Sequence, residues 1–133
     1  MKISVYAVGD KIEKFYLEAI KEYEKRLSRY CVIKFFHLKN INEVQRKLNP
    51  KSFVMAVNTS RNTISSEELA DKLDHKASAG VSDISIIVGA TPPTYNDIIS
   101  LSQMEMDFGL QNTILIEQVY RAYRIIHNHP YHK

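Results

Sequence analysis

The chain has 133 residues, of which 44% are hydrophobic and 25% charged. That length suits one domain, 1–133, with a self-sufficient core and little room for a second. A single cysteine excludes an intrachain disulfide, and no apolar run reaches membrane-spanning length.

The elements follow in chain order. Lys2 to Val8 alternates and stops at Gly9, which predicts a strand. It is too short, and too soon followed by charges, to be a secretory leader. The chain is therefore read as cytoplasmic, with no membrane partner. Asp10 with Glu13 three residues later predicts an N-cap. Ile12, Tyr16, Ala19, Tyr23 and Leu27 recur at helical spacing to about Ser28. Cys31 to Leu38 predicts a second strand, with Cys31 a buried thiol rather than a nucleophile. Ile41, Val44 and Leu48 mark a short helix ended by Pro50.

Phe53 to Val57 is continuously apolar, as in a strand buried on both faces. Ser65 and Glu68 have capping-box spacing, with Ile64 and Leu69 as its hydrophobic staple. The helix carries Leu69, Leu73 and Ala77 and stops at Gly80. Ile84 to Val88 predicts another buried strand, ending at Gly89. After the loop Ala90 to Thr94, the stretch Tyr95 to Phe108 suggests one helical turn and a strand near Leu101 to Met106. A last helix is predicted from Thr113 to Ile126, with Asn112 as a candidate N-cap. Strands alternating with amphipathic helices predict an α/β fold with a mostly parallel sheet. Ligands of such sheets bind beyond the carboxyl ends of the strands, here Gly9, Asn58 to Arg61 and Gly89 to Thr94.

The net charge of +3 is unevenly spread. Cys31 to Ser60 carries Lys34, Lys39, Arg46, Lys47 and Lys51 against the single acid Glu43. Such a patch suits phosphate, or is simply a solvated basic face. Arg61 to Ser100 is net acidic. No glycine-rich phosphate loop, catalytic Ser/His/Asp set or paired carboxylates stand out by spacing. His127, His129 and His132 share one tail with no thiolate or carboxylate beside them, so no metal is assigned. Arg121 and Arg124, interleaved with Tyr120, Tyr123 and Tyr131, suit a splayed RNA base and its backbone, or an arginine pair covering apolar neighbours. The ending Pro130-Tyr-His-Lys133 is too rigid and aromatic for a mobile tail, which predicts that it docks.

Glu117-Gln-Val-Tyr-Arg-Ala122 followed by Pro130-Tyr-His-Lys133 resembles the close of the RlmH-type (YbeA-like) ribosomal RNA methyltransferases of the SPOUT class. Met1 to Gly9, Glu22 to Leu27, Ser65 to Ala70 and Ser100 to Met104 resemble the same family. The resemblance implies a SPOUT-type α/β knot, with a C-terminal trefoil knot, and a homodimer. It implies S-adenosylmethionine-dependent methylation of ring nitrogen 3 of a pseudouridine in large-subunit ribosomal RNA, with the ribosome as partner. It implies catalytic roles for Arg121, Tyr131 and His132. It places the cofactor at Gly89 and Ala90 and along Ser100 to Met104, with Ser102 and Met104 as contacts. Where the family has Gly-Gly-x-x-Gly, this chain has Gly89-Ala-Thr-Pro-Pro93, and the connection to Ser100 is shorter than in typical members. The family's Pro-His and later Arg align with Asp107-Phe108 and Asn112. Two proline nitrogens carry no proton, so weakened cofactor binding is expected. Two readings stay open: a methyltransferase with an altered cofactor loop, or a non-catalytic relative that keeps the dimer and the RNA surface.

Overall fold

The computed structural model describes residues 1–133. Its elements are β1 (Lys2–Val8), α1 (Lys14–Leu27), β2 (Val32–Leu38), α2 (Ile41–Lys47), β3 (Phe53–Thr63), α3 (Ser66–Ser78), β4 (Asp83–Val88), β5 (Asp97–Ser100) and α4 (Phe108–Ile126). The five strands form one sheet in the order β2-β1-β4-β3-β5, and every neighbouring pair is parallel. All carboxyl ends therefore reach one edge, where ligands of such sheets collect.

Position in the sheet explains the burial of each strand. β1 lies between β2 and β4, and Ile3 through Val8 are all buried, so its alternation in sequence does not mark a solvent face. β2 is an edge strand and keeps exposed positions. α4 packs between α1 and α3 on one face of the sheet. The core there joins Ile3, Val5, Met55, Ile86, Leu115 and Val119. α2 covers part of the opposite face, with Val44 clustered among Tyr6, Leu38 and Ile87. No helix is long and apolar enough to cross a membrane.

The helix ends test the expected caps. Ser65 and Glu68 form the expected box: Glu68 N–H donates to Ser65 Oγ at 3.0 Å and Ser65 N–H to Glu68 Oε1 at 2.9 Å. α3 stops before Gly80, whose φ of +89° suits only a residue without Cβ. Asn40 caps α2 by accepting from Glu43 N–H at 3.2 Å. The Asp10 cap does not form. Burial of Ile12 pins the chain first, and α1 begins only after Glu13, which has extended ψ and no side-chain cap bond.

The stretch before α4 differs most from expectation. The strand is Asp97–Ser100, not Leu101 to Met106. Ser100 Oγ accepts from Ser60 N–H at 2.9 Å and shares its one proton between the Ser60 and Ser102 carbonyls at 3.2 and 3.1 Å, where the chain turns out of the sheet. α4 starts at Phe108, five residues before the expected Thr113. Asp107 is its cap, accepting from Gly109 and Leu110 N–H at 3.0 and 3.3 Å. Asn112 is buried inside the helix, its amide donating to the Phe108 carbonyl at 2.9 Å. Gly109 hid this start, because glycine is a poor helix former. It is there because an added Cβ would lie 2.4 Å from the Tyr16 ring.

Candidate active site

The tail is docked. Asn128 turns the chain at a φ of +56°, and His129 N–H donates to the Arg124 carbonyl at 2.8 Å. The chain then folds back along α4, where Glu117 is the centre of a cluster. Tyr131 O–H donates to Glu117 Oε2 at 2.7 Å, and Arg121 Nη2 donates to the same oxygen at 3.0 Å. The guanidinium also lies 4.7 Å over the Tyr131 ring, and Tyr120 meets that ring edge-on at 4.9 Å. Burial, then the hydrogen bond to Glu117, pushes the Tyr131 hydroxyl well above the usual phenol range. It is therefore a proton donor in a fixed direction and not a base.

His132 sits between two charged partners. Its Nδ1 faces Arg121 Nη1 at 3.1 Å, and its Nε2 pairs with the Glu67 carboxylate at the start of α3. A guanidinium only donates, so Nδ1 accepts and the proton lies on Nε2, toward Glu67. The hydrogen bond from His132 holds the Glu67 carboxyl below its ordinary range. Both ring nitrogens are engaged, so His132 can accept a further proton at Nδ1 only when Arg121 releases it.

The structure thus gathers Arg121, Tyr131 and His132. Sequence reading missed the two carboxylates that organise them. Glu117 had a signal, because it stands four residues before Arg121 on one helix. Glu67 had none, because it reaches His132 across 65 residues of sequence.

The second locus lies beyond the carboxyl end of β4 and beside Asn58 and Thr59, which were expected past a strand ending at Val57 but lie within β3, where its pairing to β5 is interrupted between Asn58 and Thr63. A hollow of about 260 Å³ is bordered by Asn58, Thr59, Gly89, Ala90, Glu105 and Gln111, with Glu105 the only charged residue in its wall. Gly89 has a φ of +93°, and an added Cβ would stand 2.0 Å from the Val8 carbonyl oxygen and 2.7 Å from Phe108. Ser102 and Met104 are outside the wall. Ser102 Oγ accepts from Met104 N–H at 2.9 Å, shaping the turn that delivers Glu105, and Met104 is 76% exposed. Pro92 is buried and Pro93 exposed, and neither lines the hollow.

A third hollow, about 240 Å³, lies between α3 and α4. Leu101 from the β5 exit and Ile64 border it, together with Ser66 and Gln118. Ser66 Oγ donates to Gln118 Oε1 at 2.5 Å, and Gln118 Nε2 donates to Glu117 Oε1 at 2.8 Å. The polar chain from α3 thereby ends on the carboxylate that holds the tail.

Sheet order also turns linear charge asymmetry into a spatial one. The β2–α2 edge exposes Lys34, Lys39, Arg46 and Lys47. α3, tied to the opposite edge by Lys72 and Asp97 at 2.8 Å, exposes Glu67, Glu68, Asp71 and Asp74. Cys31 is partly buried beside the core, and burial pushes its thiol up to about 11, as expected of an unreactive cysteine.

Known proteins resemble this chain over its whole length. The SPOUT_MTase family model, described as "Predicted SPOUT methyltransferase", matches residues 1–132. The "Ribosomal RNA large subunit methyltransferase H 1" of a Thermoanaerobacter species is 47% identical over 133 residues, covering all of both chains. The protein named "Ribosomal RNA large subunit methyltransferase H 2" of Thermoanaerobacter pseudethanolicus matches equally. The "Ribosomal RNA large subunit methyltransferase H" of Desulforamulus reducens is 31% identical over 159 aligned residues, with all of this chain and 99% of that one covered. The shortened connections are thus compatible with end-to-end similarity to a protein named as a methyltransferase. With the parallel α/β sheet, the docked tail and a family match to residue 132, this chain belongs to the SPOUT methyltransferase family.

Proposed function

We propose that this chain methylates large-subunit ribosomal RNA, using S-adenosylmethionine as donor and the N3 position of a pseudouridine as acceptor. The observation that carries the reading is the cluster in which Arg121 and Tyr131 meet on Glu117 while His132 bridges Arg121 and Glu67. The printed names of the relatives favour this over the non-catalytic alternative.

The donor supplies an electrophilic methyl group on a cationic sulfonium. The hollow at Gly89 fits part of such a molecule: it is open and polar, and Glu105 is a negative partner for the sulfonium. Gly89 and Ala90 carry the contact. Ser102 and Met104 act by holding the turn before Glu105. The acceptor nitrogen must lose its proton. An RNA phosphate forms charge-assisted bonds with Arg121 and draws it from His132. Nδ1 of His132 is then free to take the N3 proton, while Glu67 steadies the Nε2 proton. Tyr131 keeps Glu117, and hence Arg121, in place. The basic β2–α2 edge holds the flanking backbone by phosphate contacts.

The working protein is read as a cytoplasmic homodimer of single-domain subunits with a C-terminal trefoil knot. Exposed Phe15 and Leu110 are the apolar surface that a second copy covers. Solution scattering at micromolar concentration checks the dimer, and a monomer refutes it. The activity is tested by transfer of labelled methyl from S-adenosylmethionine to ribosomes lacking this modification. Incorporation at one pseudouridine supports the proposal. No incorporation at saturating donor and ribosome overturns it.

A further inference from the structure

The tail is held at a second point, away from Glu117. Tyr30, just beyond α1, lies 94 residues before Arg124 and 99 before His129, yet its hydroxyl meets both. Arg124 Nη1 donates to the Tyr30 oxygen at 3.1 Å. The hydroxyl still has its own proton to give, and with the His129 ring proton on Nε2 it donates to His129 Nδ1, 2.6 Å away. The other arm of Arg124 donates to the Pro130 carbonyl at 3.1 Å. Every group in this knot is aimed at the two residues that precede Tyr131 and His132.

Packing reinforces the hydrogen bonds. The Tyr30 ring is stacked on Tyr123 at 5.7 Å and lies 5.1 Å from His127 and 5.8 Å from His129. Tyr123 is buried in the core, so the stack ties the turn after α4 to the rigid body of the protein. The Glu117 cluster orients Tyr131 and His132. The turn itself is begun by the left-handed Asn128 and the His129 N–H bond to the Arg124 carbonyl, and Tyr30 braces it through the His129 ring and the Arg124 guanidinium.

We infer that Tyr30, His129 and Arg124 form a latch that positions the tail, so that Tyr30 and His129 are positioning residues for the proposed methyl transfer, acting through Tyr131 and His132 without touching substrate. The inference rests on the functional reading above for its catalytic consequence, and on geometry alone for its structural one.

The decisive variant is Tyr30→Phe, which removes the hydroxyl and leaves the stacked ring. Amide exchange of Asn128, His129 and residues 131–133 is expected to quicken about ten-fold, from the loss of two hydrogen bonds. Sheet amides should be unchanged. His129→Phe should quicken the same amides, and the double variant should be no worse than Tyr30→Phe, because the two residues share one bond. In turnover, Tyr30→Phe should lower kcat about ten-fold while leaving KM for S-adenosylmethionine at the parent value. Unchanged tail exchange in Tyr30→Phe, or additive effects in the double variant, overturns the latch. Loosened tail amides with undiminished kcat overturn the positioning role. A latch that loosens as expected in a protein that never transfers a methyl group supports the latch and defeats the functional reading instead.

Discussion

The tail and the strand-end hollow are built in opposite ways. The tail is made of side chains: Glu117, Arg121, Tyr131, His132 and Glu67 each hold at least one of the others by a hydrogen bond or ion pair. The hollow is a product of chain path, where Asn58 and Thr59 of β3, the left-handed Gly89 after β4 and the turn that carries Glu105 come together without a hydrogen-bonded side-chain network. A side-chain site depends on residue identity. A backbone site depends on chain path and tolerates substitution except where a Cβ cannot fit. This explains how the tail motif can be intact while the neighbouring Gly-Gly-x-x-Gly pattern is altered at every glycine but Gly89.

The comparison breaks hardest at Gly89. Gly89→Ala combines a left-handed conformation, costing roughly 1–2 kcal/mol, with overpacking of about 1–3 kcal/mol. Urea denaturation should register most of that sum, since the Cβ would stand 2.0 Å from the Val8 carbonyl oxygen. A loss below about 0.5 kcal/mol, the range of an ordinary surface change, would mean that the hollow is not held by its backbone.

Arg121→Ala comes next and should act on chemistry more than on folding. It removes the partner of both Glu117 and His132, in a pair whose side chains are 25% and 17% exposed. An orphaned polar group costs about 1–3 kcal/mol, or roughly five- to 150-fold in rate at ~1.4 kcal/mol per decade. Turnover should fall within that range, with the affinity for S-adenosylmethionine unchanged by titration calorimetry. Equal losses in both quantities would erase the division between the two loci.

Acid should undock the tail through Glu67. Its carboxyl is held below the ordinary range by His132, so the folded pKa is depressed. Its stabilising contribution is full above the unfolded glutamate pKa and is lost as pH falls through the lower, folded value. Amide exchange of residues 131–133 should quicken in that acid window, and Glu67→Gln should abolish the transition. A transition that persists in Glu67→Gln would assign the pH sensitivity to another group.

The smallest effect is expected at Ala90. Ala90→Gly restores a family glycine in the wall of the hollow. It should raise cofactor affinity by no more than about three-fold, under ~0.7 kcal/mol. The expected loss of two proline N–H donors falls on residues outside the wall, so Pro93→Gly alone should change nothing measurable. A ten-fold gain from either change would show that the loop, and not only the strand ends, shapes the hollow.

Local chemistry made much of the protein legible. Apolar runs located β3 and β4, Ser65 with Glu68 located α3, and the rigid ending showed that the tail docks. The Asp107 start of α4 was not legible, because Gly109 answers to a Tyr16 ring distant in sequence. The edge strand β5 was not legible either, because it is four residues long and is defined by pairing with β3.

The sequence by itself determined most of the strands and helices, β5 and the start of α4 excepted, because period, caps and burial demand are properties of neighbouring residues. It also determined which side chains the tail would present. Only the tertiary structure decided that Glu67 meets His132, that Tyr30 meets His129, and that Gly89 stands against Val8. Those contacts join segments far apart in the chain. They depend on strand order and chain path, which no local pattern encodes.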